Sequence, residues 1–309
     1  MEPERLASGA WPVMVTPFLE DRSIDWAGLD ALIEWYLGAG IAGLFAVAQT
    51  SEMYAMSAEE RRKVAERVVR RVSGRVPVVA CGSFGNDFDE QAESMREIAG
   101  TGVQAVVAVT SQLARQGEGD EVLAERLLRL VEVANGVPLG LYECPLPYKR
   151  LLSPDLVAAA AKSGGYVFMK DTSERPSAVA AKVAAAAGTP LGIFNAEMSS
   201  LLETVRMGAQ GFSGNAGNYY PELVQWICDA GRRGDERADA IQELMTVVDA
   251  VVSSPLYPAS AKHFLAAQRG VPIGTTCRVT SAGLREHDQR LLEHLHRHVQ
   301  AAELPIALG

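Results

Sequence analysis

Short apolar runs alternate with longer amphipathic segments along most of the 309-residue chain. The short runs are almost continuously apolar, which is typical of parallel strands buried on both faces. The longer segments carry helix signals, such as SAEE at 57–60, where Ser57 can cap a helix and Glu60 can complete a capping box. The eight predicted strands are WPVMVTPF, AGLFAVAQTS, VPVVACGS, AVVAVTSQ, PLGLYECP, YVFMKDTS, LGIFNAE and GFSGNAGN.

Eight strand–helix units in this order predict an α/β fold, a (β/α)8 TIM barrel with a C-terminal helical extension. An open doubly wound sheet is the alternative, but VTPFLED follows the first apolar run where such a sheet would place GxGxxG. We predict the barrel over residues 1–230 and the extension, packed on the barrel, over residues 231–309. The last helix of the extension is expected from about Ser281 to Ala302.

The composition is that of an ordinary globular protein, with 48% hydrophobic and 22% charged residues and a net charge of −9. The densest basic stretch is RRKVAERVVRR at 61–71, and its apolar positions recur at helical spacing. This pattern is typical of the solvated face of a helix rather than of a nucleic-acid patch. We therefore expect no nucleic-acid partner.

The four cysteines, Cys81, Cys144, Cys228 and Cys277, are widely scattered and form no CxxC pair or Cys/His cluster. This spacing argues against a zinc site or a disulfide framework and favours the reducing cytoplasm. The start of the chain lacks a basic segment followed by an apolar stretch, and no apolar run is long enough to cross a bilayer. The sequence predicts a cytoplasmic protein with no metal and no membrane partner.

Two functional groups stand out at the carboxyl ends of the predicted strands, where barrel enzymes place their active sites. Tyr142 ends strand five and Lys170 ends strand six. Adjacent strands lie about 4.8 Å apart, so a phenol and an amine that both point inward can act on one ligand. Burial lowers the pKa of a lysine from about 10.4, and neutral amines attack carbonyl carbons. By strand alternation, Glu143 and Asp171 would face away from the site.

A structural interpretation of the same two residues stays open on the pattern alone. A lysine at a strand end is often a salt-bridge partner or a rim residue, and a tyrosine is often simply packed. Further polar residues follow other strands and could surround a substrate in a barrel. They include Gln49, Thr50 and Ser51 after strand two, Gln112 and Arg115 after strand four, and Ser213 after strand eight.

The ordered set of short motifs resembles the dihydrodipicolinate synthase / N-acetylneuraminate lyase family of class I aldolases and lyases. The motifs are VTPF, QTSE, LYECP, FMKDTS and GFSGNAGN, and the resemblance runs from WPVMVTPF into YYPEL with a compatible helical tail. It implies a TIM barrel that forms a Schiff base with pyruvate or a related 2-oxo acid. It also implies a homo-oligomer, commonly a tetramer in this family.

The resemblance assigns roles residue by residue. Lys170 falls where the family keeps its imine-forming lysine, and Tyr142 where it keeps the tyrosine that relays protons and positions the substrate carboxylate. Thr50 falls on the second hydroxyl position of a GTTGE-like motif that holds the carboxylate. Ser213 falls where a backbone carbonyl of strand eight approaches the bound keto acid.

Two loops depart from the family pattern. GTTGE reads AQTSE here, so Gln49 replaces a small hydroxyl residue and Ser51 replaces a glycine. Both are candidates to bind substrate, and Gln49 could instead support the residues that contact it. A TPYYN-like string on strand four reads TSQLAR, which leaves Gln112 and Arg115 as candidates to meet a second carboxylate or a polar tail. Each could instead be an exposed loop residue. Pro147 stands where the lysine-biosynthesis enzymes of the family place an arginine.

These observations support three functional hypotheses. The first is a lyase or aldolase that makes or cleaves a C–C bond of a 2-oxo acid, with an aldehyde as the candidate second substrate. The alternative keeps the imine but dehydrates a 2-keto-3-deoxy sugar acid, which the Ser51–Glu52 ending favours. The third is a catalytically silent barrel that binds a keto acid. No cofactor is expected, because a lysine imine is itself an electron sink.

Overall fold

Eight short parallel strands build the centre of the molecule, and the computed structural model describes residues 4–253, 256–281 and 283–308. All eight belong to one sheet with the spatial order β1-β8-β7-β6-β5-β4-β3-β2. In chain order they are β1 Gly9–Ala10, β2 Leu44–Val47, β3 Val78–Cys81, β4 Ala105–Val109, β5 Leu139–Tyr142, β6 Tyr166–Asp171, β7 Gly192–Asn195 and β8 Gly211–Phe212.

The sheet closes into a barrel through the segment that follows β1. The Phe45 N–H in β2 donates to the Pro12 carbonyl at 3.0 Å, and the Met14 N–H donates to the Phe45 carbonyl at 3.0 Å. On its other side β1 pairs with β8, where a Cβ on Gly211 would collide with the Gly9 carbonyl oxygen. The predicted (β/α)8 barrel is therefore confirmed.

Twelve α-helices lie in the described parts of the chain, and each strand after β1 is preceded by at least one. Ser57 caps the second helix and Glu60 completes the capping box, as predicted. The helices are α1 Trp26–Gly38, α2 Ala58–Val72, α3 Phe88–Ala99, α4 Thr110–Leu113, α5 Asp120–Ala134, α6 Pro154–Lys162, α7 Pro176–Ala185, α8 Leu201–Arg206, α9 Pro221–Arg233, α10 Arg237–Val252, α11 Ala259–Gln268 and α12 Glu286–Gln300.

Strand one and the last helix begin at residues other than those that the patterns predict. The pattern predicts the first strand over WPVMVTPF, but β1 lies just before it, because Pro12 has no N–H and the following residues contact β8 and β2 in turn. The boundary predicted between residues 230 and 231 falls inside α9, and the division into two units stays a prediction. The last helix begins at Glu286 rather than near Ser281, and Ala282 lies outside the described residues.

An aromatic layer fills the barrel beneath the carboxyl end of β6. Phe168 stacks on Phe194 with ring centres 4.7 Å apart and meets Phe45 edge-on at 5.6 Å. Trp11 closes the same cluster at 5.5 Å from Phe168. Phe168 lies two residues before Lys170 and shares its face of the strand, so this layer excludes water from the barrel below the lysine.

No helix within residues 4–253, 256–281 or 283–308 has the length and apolar character needed to cross a membrane.

Candidate active site

Tyr142 and Lys170 lie side by side at the carboxyl ends of β5 and β6. They are direct partners in the register of the two strands, and the Lys170 Nζ is 4.6 Å from the centre of the Tyr142 ring. Each residue is only 4% exposed. Both side chains therefore face the inside of the barrel, the arrangement in which a phenol can reach a ligand held on the amine.

Burial sets the protonation chemistry of this pair. Loss of hydration lowers the pKa of Lys170 from 10.5 to about 8, and the nearby thiols of Cys144 and Cys81 oppose this shift. With a pKa of about 8, about a tenth of the amine is neutral at pH 7, against well under a thousandth for an ordinary lysine. Burial also raises the pKa of the Tyr142 phenol, which therefore stays protonated and available as a proton donor.

Both residues open into a cavity of about 560 Å³ at the carboxyl ends of the strands. Its wall includes Gln49 and Thr50 from the segment after β2, Thr172 from the segment after β6, and Gly214 from the segment after β8. This volume lies in the range of small-molecule sites. It has room for a small keto acid beside Lys170 and for a second small molecule.

A short 3-10 turn after β2 brings Gln49 and Thr50 to the cavity. The turn spans Gln49–Ser51, and Thr50 is 7% exposed. The Gln49 Oε1 accepts a hydrogen bond from the Cys144 thiol, with 3.3 Å between the oxygen and the sulfur. The cavity therefore contains Lys170, Tyr142, Thr50 and Gln49 of the predicted site residues.

Ser51 does not reach this cavity, so its predicted contact with substrate has no support in the structure. Its hydroxyl lies 2.7 Å from the Met14 carbonyl oxygen and 2.9 Å from the Ala46 carbonyl oxygen, and it accepts from the Ala48 N–H. The side chain is fully buried. The third residue of the turn points back into the barrel wall, where its hydroxyl ties the turn to β2 and to the segment after β1.

Gln112 and Arg115 are also absent from the cavity wall. The Gln112 side chain accepts a hydrogen bond from the Ser83 hydroxyl at 2.9 Å, which holds the loops after β3 and β4 together. The Arg115 side chain is exposed, and its backbone N–H donates to Glu118. The short helix α4 begins at Thr110 and turns both residues away from the barrel mouth, so their expected contacts with substrate find no support in the structure.

Ser213 is fully buried directly before the cavity-lining Gly214. Its N–H donates to the Asn195 carbonyl, and its hydroxyl has no hydrogen-bond partner among the described residues. The predicted role of its backbone carbonyl beside a bound keto acid stays a prediction.

The C-terminal extension supplies one wall of the cavity, which the sequence patterns did not indicate. Asp249 and Ser253 reach it from α10 and its end, and Tyr257 reaches it from the segment before α11. The Tyr257 hydroxyl accepts from the Asn218 Nδ2 at 2.7 Å. Burial, reinforced by the carboxylate of Glu197, raises the pKa of Asp249 to about 6. The extension therefore contributes polar side chains to the wall of the cavity.

A buried ion pair joins the extension to the turn that carries Thr50. The Glu52 carboxylate accepts from the Lys262 Nζ at 2.5 Å and from the N–H groups of Arg278 and Val279 at 2.6 and 2.9 Å. Both charged side chains are 0% exposed, and Glu52 has the left-handed backbone φ of 61°. Glu52 is therefore a structural partner of loop amides. Because Glu52 lies two positions after Thr50, this contact anchors the turn that carries Thr50.

We expect Lys262→Met to lower the free energy of unfolding by about 3–5 kcal/mol, because it leaves the Glu52 carboxylate buried without its cation. The matched control is Lys63→Met, since Lys63 forms an exposed pair with Glu59 and should cost at most about 0.5 kcal/mol. Urea denaturation of both variants measures the difference. A change below about 1 kcal/mol for Lys262→Met would contradict a clamping role.

The sequence profile of the Dihydrodipicolinate synthetase family matches residues 6–301. The chain belongs to this family. A curated relative, the 4-hydroxy-tetrahydrodipicolinate synthase of Nitrosococcus oceani, is 25% identical over 281 residues, which cover 91% of this chain and 94% of the relative. Enzymes of the dihydrodipicolinate synthetase family are class I lyases.

Solved structures of the family share the fold described above. The dihydrodipicolinate synthase of Acinetobacter baumannii, crystallised with pyruvate, superposes with a TM-score of 0.85 at 23% identity, covering 96% of this chain and 99% of that one. A monomeric dihydrodipicolinate synthase variant gives a TM-score of 0.87 at 18% identity, covering 96% and 97% of the two chains. The resemblance inferred from the short motifs is thus confirmed at the level of family and fold.

No group of three or more His, Cys, Asp or Glu side chains suited to a metal ion occurs in the described parts of the chain.

Proposed function

We propose that the protein is a class I aldolase or lyase that acts on pyruvate or a related 2-oxo acid through an imine at Lys170. The observation that carries this proposal is the geometry of that lysine. It is 4% exposed, its pKa is lowered to about 8, and it lies beside the Tyr142 ring in a cavity of about 560 Å³. Family membership supports the same chemistry.

The proposed reaction uses the side chains of the cavity in sequence. The neutral Lys170 amine adds to the C2 carbonyl carbon, and the adduct loses water to give an iminium ion. Loss of a proton from C3 gives an enamine, which attacks an aldehyde carbon or, in the reverse direction, forms as an aldehyde leaves. The Tyr142 phenol donates a proton to the departing water, and Thr50 holds the substrate carboxylate. Hydrolysis of the imine frees Lys170.

The charges of the cavity wall bear on the second substrate. Lys149 and Lys170 are the cationic residues among the described residues that line it, and Lys149 pairs with Glu174 at 2.8 Å. The cavity wall also contains Glu197 and Asp249. This charge distribution favours an aldehyde that carries no carboxylate over an aldehyde that carries one, because the added anion would meet acidic groups.

The alternative of sugar-acid dehydration is not favoured, since the relatives are named as synthases and its sequence support, Ser51, does not reach the cavity. A silent keto-acid-binding barrel is the less favoured interpretation, because both Lys170 and Tyr142 are present and face each other. The homotetramer expected from the resemblance stays a prediction. The cytoplasmic location is likewise a proposal, and the four cysteines are free thiols.

The proposal is tested by incubating the protein with pyruvate in deuterium oxide. An imine at Lys170 allows the C3 protons of pyruvate to exchange through the enamine, so the methyl signal in the proton NMR spectrum should decay at a rate proportional to protein concentration. Exchange no faster than in buffer, for pyruvate and for a panel of other 2-oxo acids, would refute the proposal.

The exchange rate at low pyruvate concentration should fall about tenfold for each pH unit below about 8 and level off above it. The sign follows from the lowered pKa, because the nucleophile is the neutral amine and protonation of Lys170 removes it as the pH falls through about 8. Initial exchange rates across a pH series on both sides of this value, buffered at constant ionic strength, measure the profile. A rate that keeps rising towards pH ~10 would show an ordinary, hydrated lysine.

A further inference from the structure

Behind the active site, Lys182 of α7 bridges two buried carboxylates. Its Nζ lies 2.6 Å from the Glu143 Oε1 and 2.5 Å from the Asp171 Oδ2. The lysine side chain is 2% exposed and both carboxylates are 0% exposed. These three charges form a closed group between α7 and the outer face of the β5–β6 pair.

Each of the two carboxylates directly follows a residue of the proposed chemistry. Glu143 follows Tyr142 and Asp171 follows Lys170. Successive side chains of a strand point to opposite faces, so Tyr142 and Lys170 face the cavity while the two acids face α7. One ammonium group therefore contacts both strands, one residue away from the pair that must meet across the cavity.

The two carboxylates are also bound to the backbone of the strand ends. Glu143 accepts from the Thr172 N–H at 3.0 Å and from the Leu152 N–H at 2.7 Å, so it reaches from β5 to the segment after β6. The Asp171 Oδ1 accepts from the Ser173 N–H and hydroxyl at 2.8 and 2.7 Å. The other oxygen of Asp171, Oδ2, accepts from the Lys182 ammonium, which joins the two strands a second time.

Burying three charged groups is not an efficient way to attach a helix to a sheet. Well-packed apolar side chains of similar volume give equal or greater stability, because no charged group then has to lose its hydration. Buried charge groups of this kind can instead specify one geometry, since each carboxylate oxygen has a defined direction and partner. The feature that this geometry sets here is the spacing of Tyr142 from Lys170.

We propose that Lys182 is a positioning residue for the proposed reaction, holding Tyr142 and Lys170 at working distance through Glu143 and Asp171. The inference rests on the proposed function, since it assumes that the phenol and the amine act on one adduct. Lys182 itself does not touch the substrate. Its effect should therefore appear in proton transfer and not in the existence of the imine.

The experiment is a double-mutant cycle between position 182 and position 142. Pyruvate C3 exchange is measured at saturating pyruvate for the parent, Lys182→Met and the double variant Lys182→Met/Asp171→Asn, each with Tyr142 intact and again with Tyr142→Phe added. The control substitution is Lys162→Met at the exposed end of α6. Thermal unfolding shows that each protein is folded at the assay temperature, and parent exchange separately establishes the proposed function.

We expect Lys182→Met to lower exchange by about 10-fold to 100-fold when Tyr142 is present. Without the ammonium group, the two carboxylates repel each other and push the ends of the two strands apart. In the Tyr142→Phe background the same substitution should change the rate by less than about threefold, since the group that it positions is gone. The double variant should recover to within about threefold of the parent, because it restores the net charge of the group and the amide introduced at position 171 can donate to Glu143. Lys162→Met should leave exchange unchanged.

Equal losses in the Tyr142 and Tyr142→Phe backgrounds would overturn the proposal, because they would show a general effect on the fold. No loss with Tyr142 intact, or no recovery in the double variant, would also overturn it. If Lys182→Met does not fold, Asp171→Asn alone carries the test, since it weakens one arm of the bridge and leaves the Lys182–Glu143 pair intact. It should then lower exchange by about threefold to tenfold with Tyr142 intact and have no effect once Tyr142→Phe is present.

Discussion

Replacing Lys170 with methionine should lower pyruvate C3 exchange by about 10⁴-fold or more, because it removes the nucleophile. The variant should be at least as stable as the parent. In the native protein the pKa of Lys170 is lowered to about 8, so folding disfavours the protonated amine at neutral pH. This cost in stability is fully present below about pH 8, decreases as the pH rises, and vanishes above the pKa of the same lysine in the unfolded chain. Methionine fills the same space without a charge. NMR exchange and thermal unfolding measure the two effects.

The matched control for this substitution is Lys162→Met, which removes an exposed lysine from the end of α6 and should change neither quantity appreciably. A Lys170→Met protein that exchanged pyruvate within about tenfold of the parent rate would exclude Lys170 as the nucleophile. A large loss of stability would show that the Lys170 amine has a structural partner.

Replacing Tyr142 with phenylalanine should lower exchange by about 10²-fold to 10⁴-fold, the usual contribution of a positioned acid–base group. The ring and its packing are kept, including its edge-on contact with Phe45 at 5.8 Å, so the stability should change little. The imine should form more slowly, because the acid that protonates the departing water is gone, but it should still form because Lys170 is untouched. Borohydride added after equilibration should therefore still trap pyruvate on the protein. Exchange rates and the trapped fraction at equal pyruvate concentration separate the two steps.

Tyr166→Phe is the control for the loss of a phenol. Tyr166 lies in β6 and is buried like Tyr142, but its hydroxyl donates to the Leu127 carbonyl at 2.8 Å, on the side of the strand away from the cavity. This variant should lose about 1 kcal/mol of stability and keep full exchange. If Tyr142→Phe lowered exchange no more than Tyr166→Phe, the proton-transfer role of Tyr142 would be refuted.

The barrel could be predicted from the sequence because each of its local signals agrees with the final topology. β6, Tyr166–Asp171, begins with four apolar or aromatic residues, and α2 starts at a capping box formed by Ser57 and Glu60. The pattern misplaces strand one, because its hydrogen bonds are divided between β8 and β2 and only the folded barrel shows where they fall. It also misplaces the start of α12, because Arg285 and Asp288 cap that helix through their own contacts.

The central pair of the site was predictable for a similar reason. A side-chain period of two places Tyr142 and Lys170 on one face of adjacent strands, and it also turns Glu143 and Asp171 to the other face, as observed. No loop has such a period. The turn after β2 presents Thr50 to the cavity and buries Ser51. A comparison of short motifs does not show which of these two neighbouring residues faces the cavity.

The rest of the cavity depends on contacts between distant segments. Asp249 and Tyr257 meet the carboxyl ends of the strands only because the extension folds back over the barrel, fixed by the Lys262–Glu52 pair across 210 positions of sequence. The apolar spacing of α10 indicates which face is buried, but it does not show that the helix lies over the mouth of the barrel. The same limit applies to Lys182, whose two carboxylate partners can be located only from the packing of α7.

Borohydride reduction in the presence of pyruvate, followed by peptide mapping with mass spectrometry, identifies the lysine that forms the imine. A buried amine with a lowered pKa should be the reactive one among the lysines of the chain. We expect one pyruvate-derived modification, on the peptide that contains Lys170, and no modification when pyruvate or borohydride is omitted. A modification on another lysine, or an unmodified Lys170 at saturating pyruvate, would contradict it.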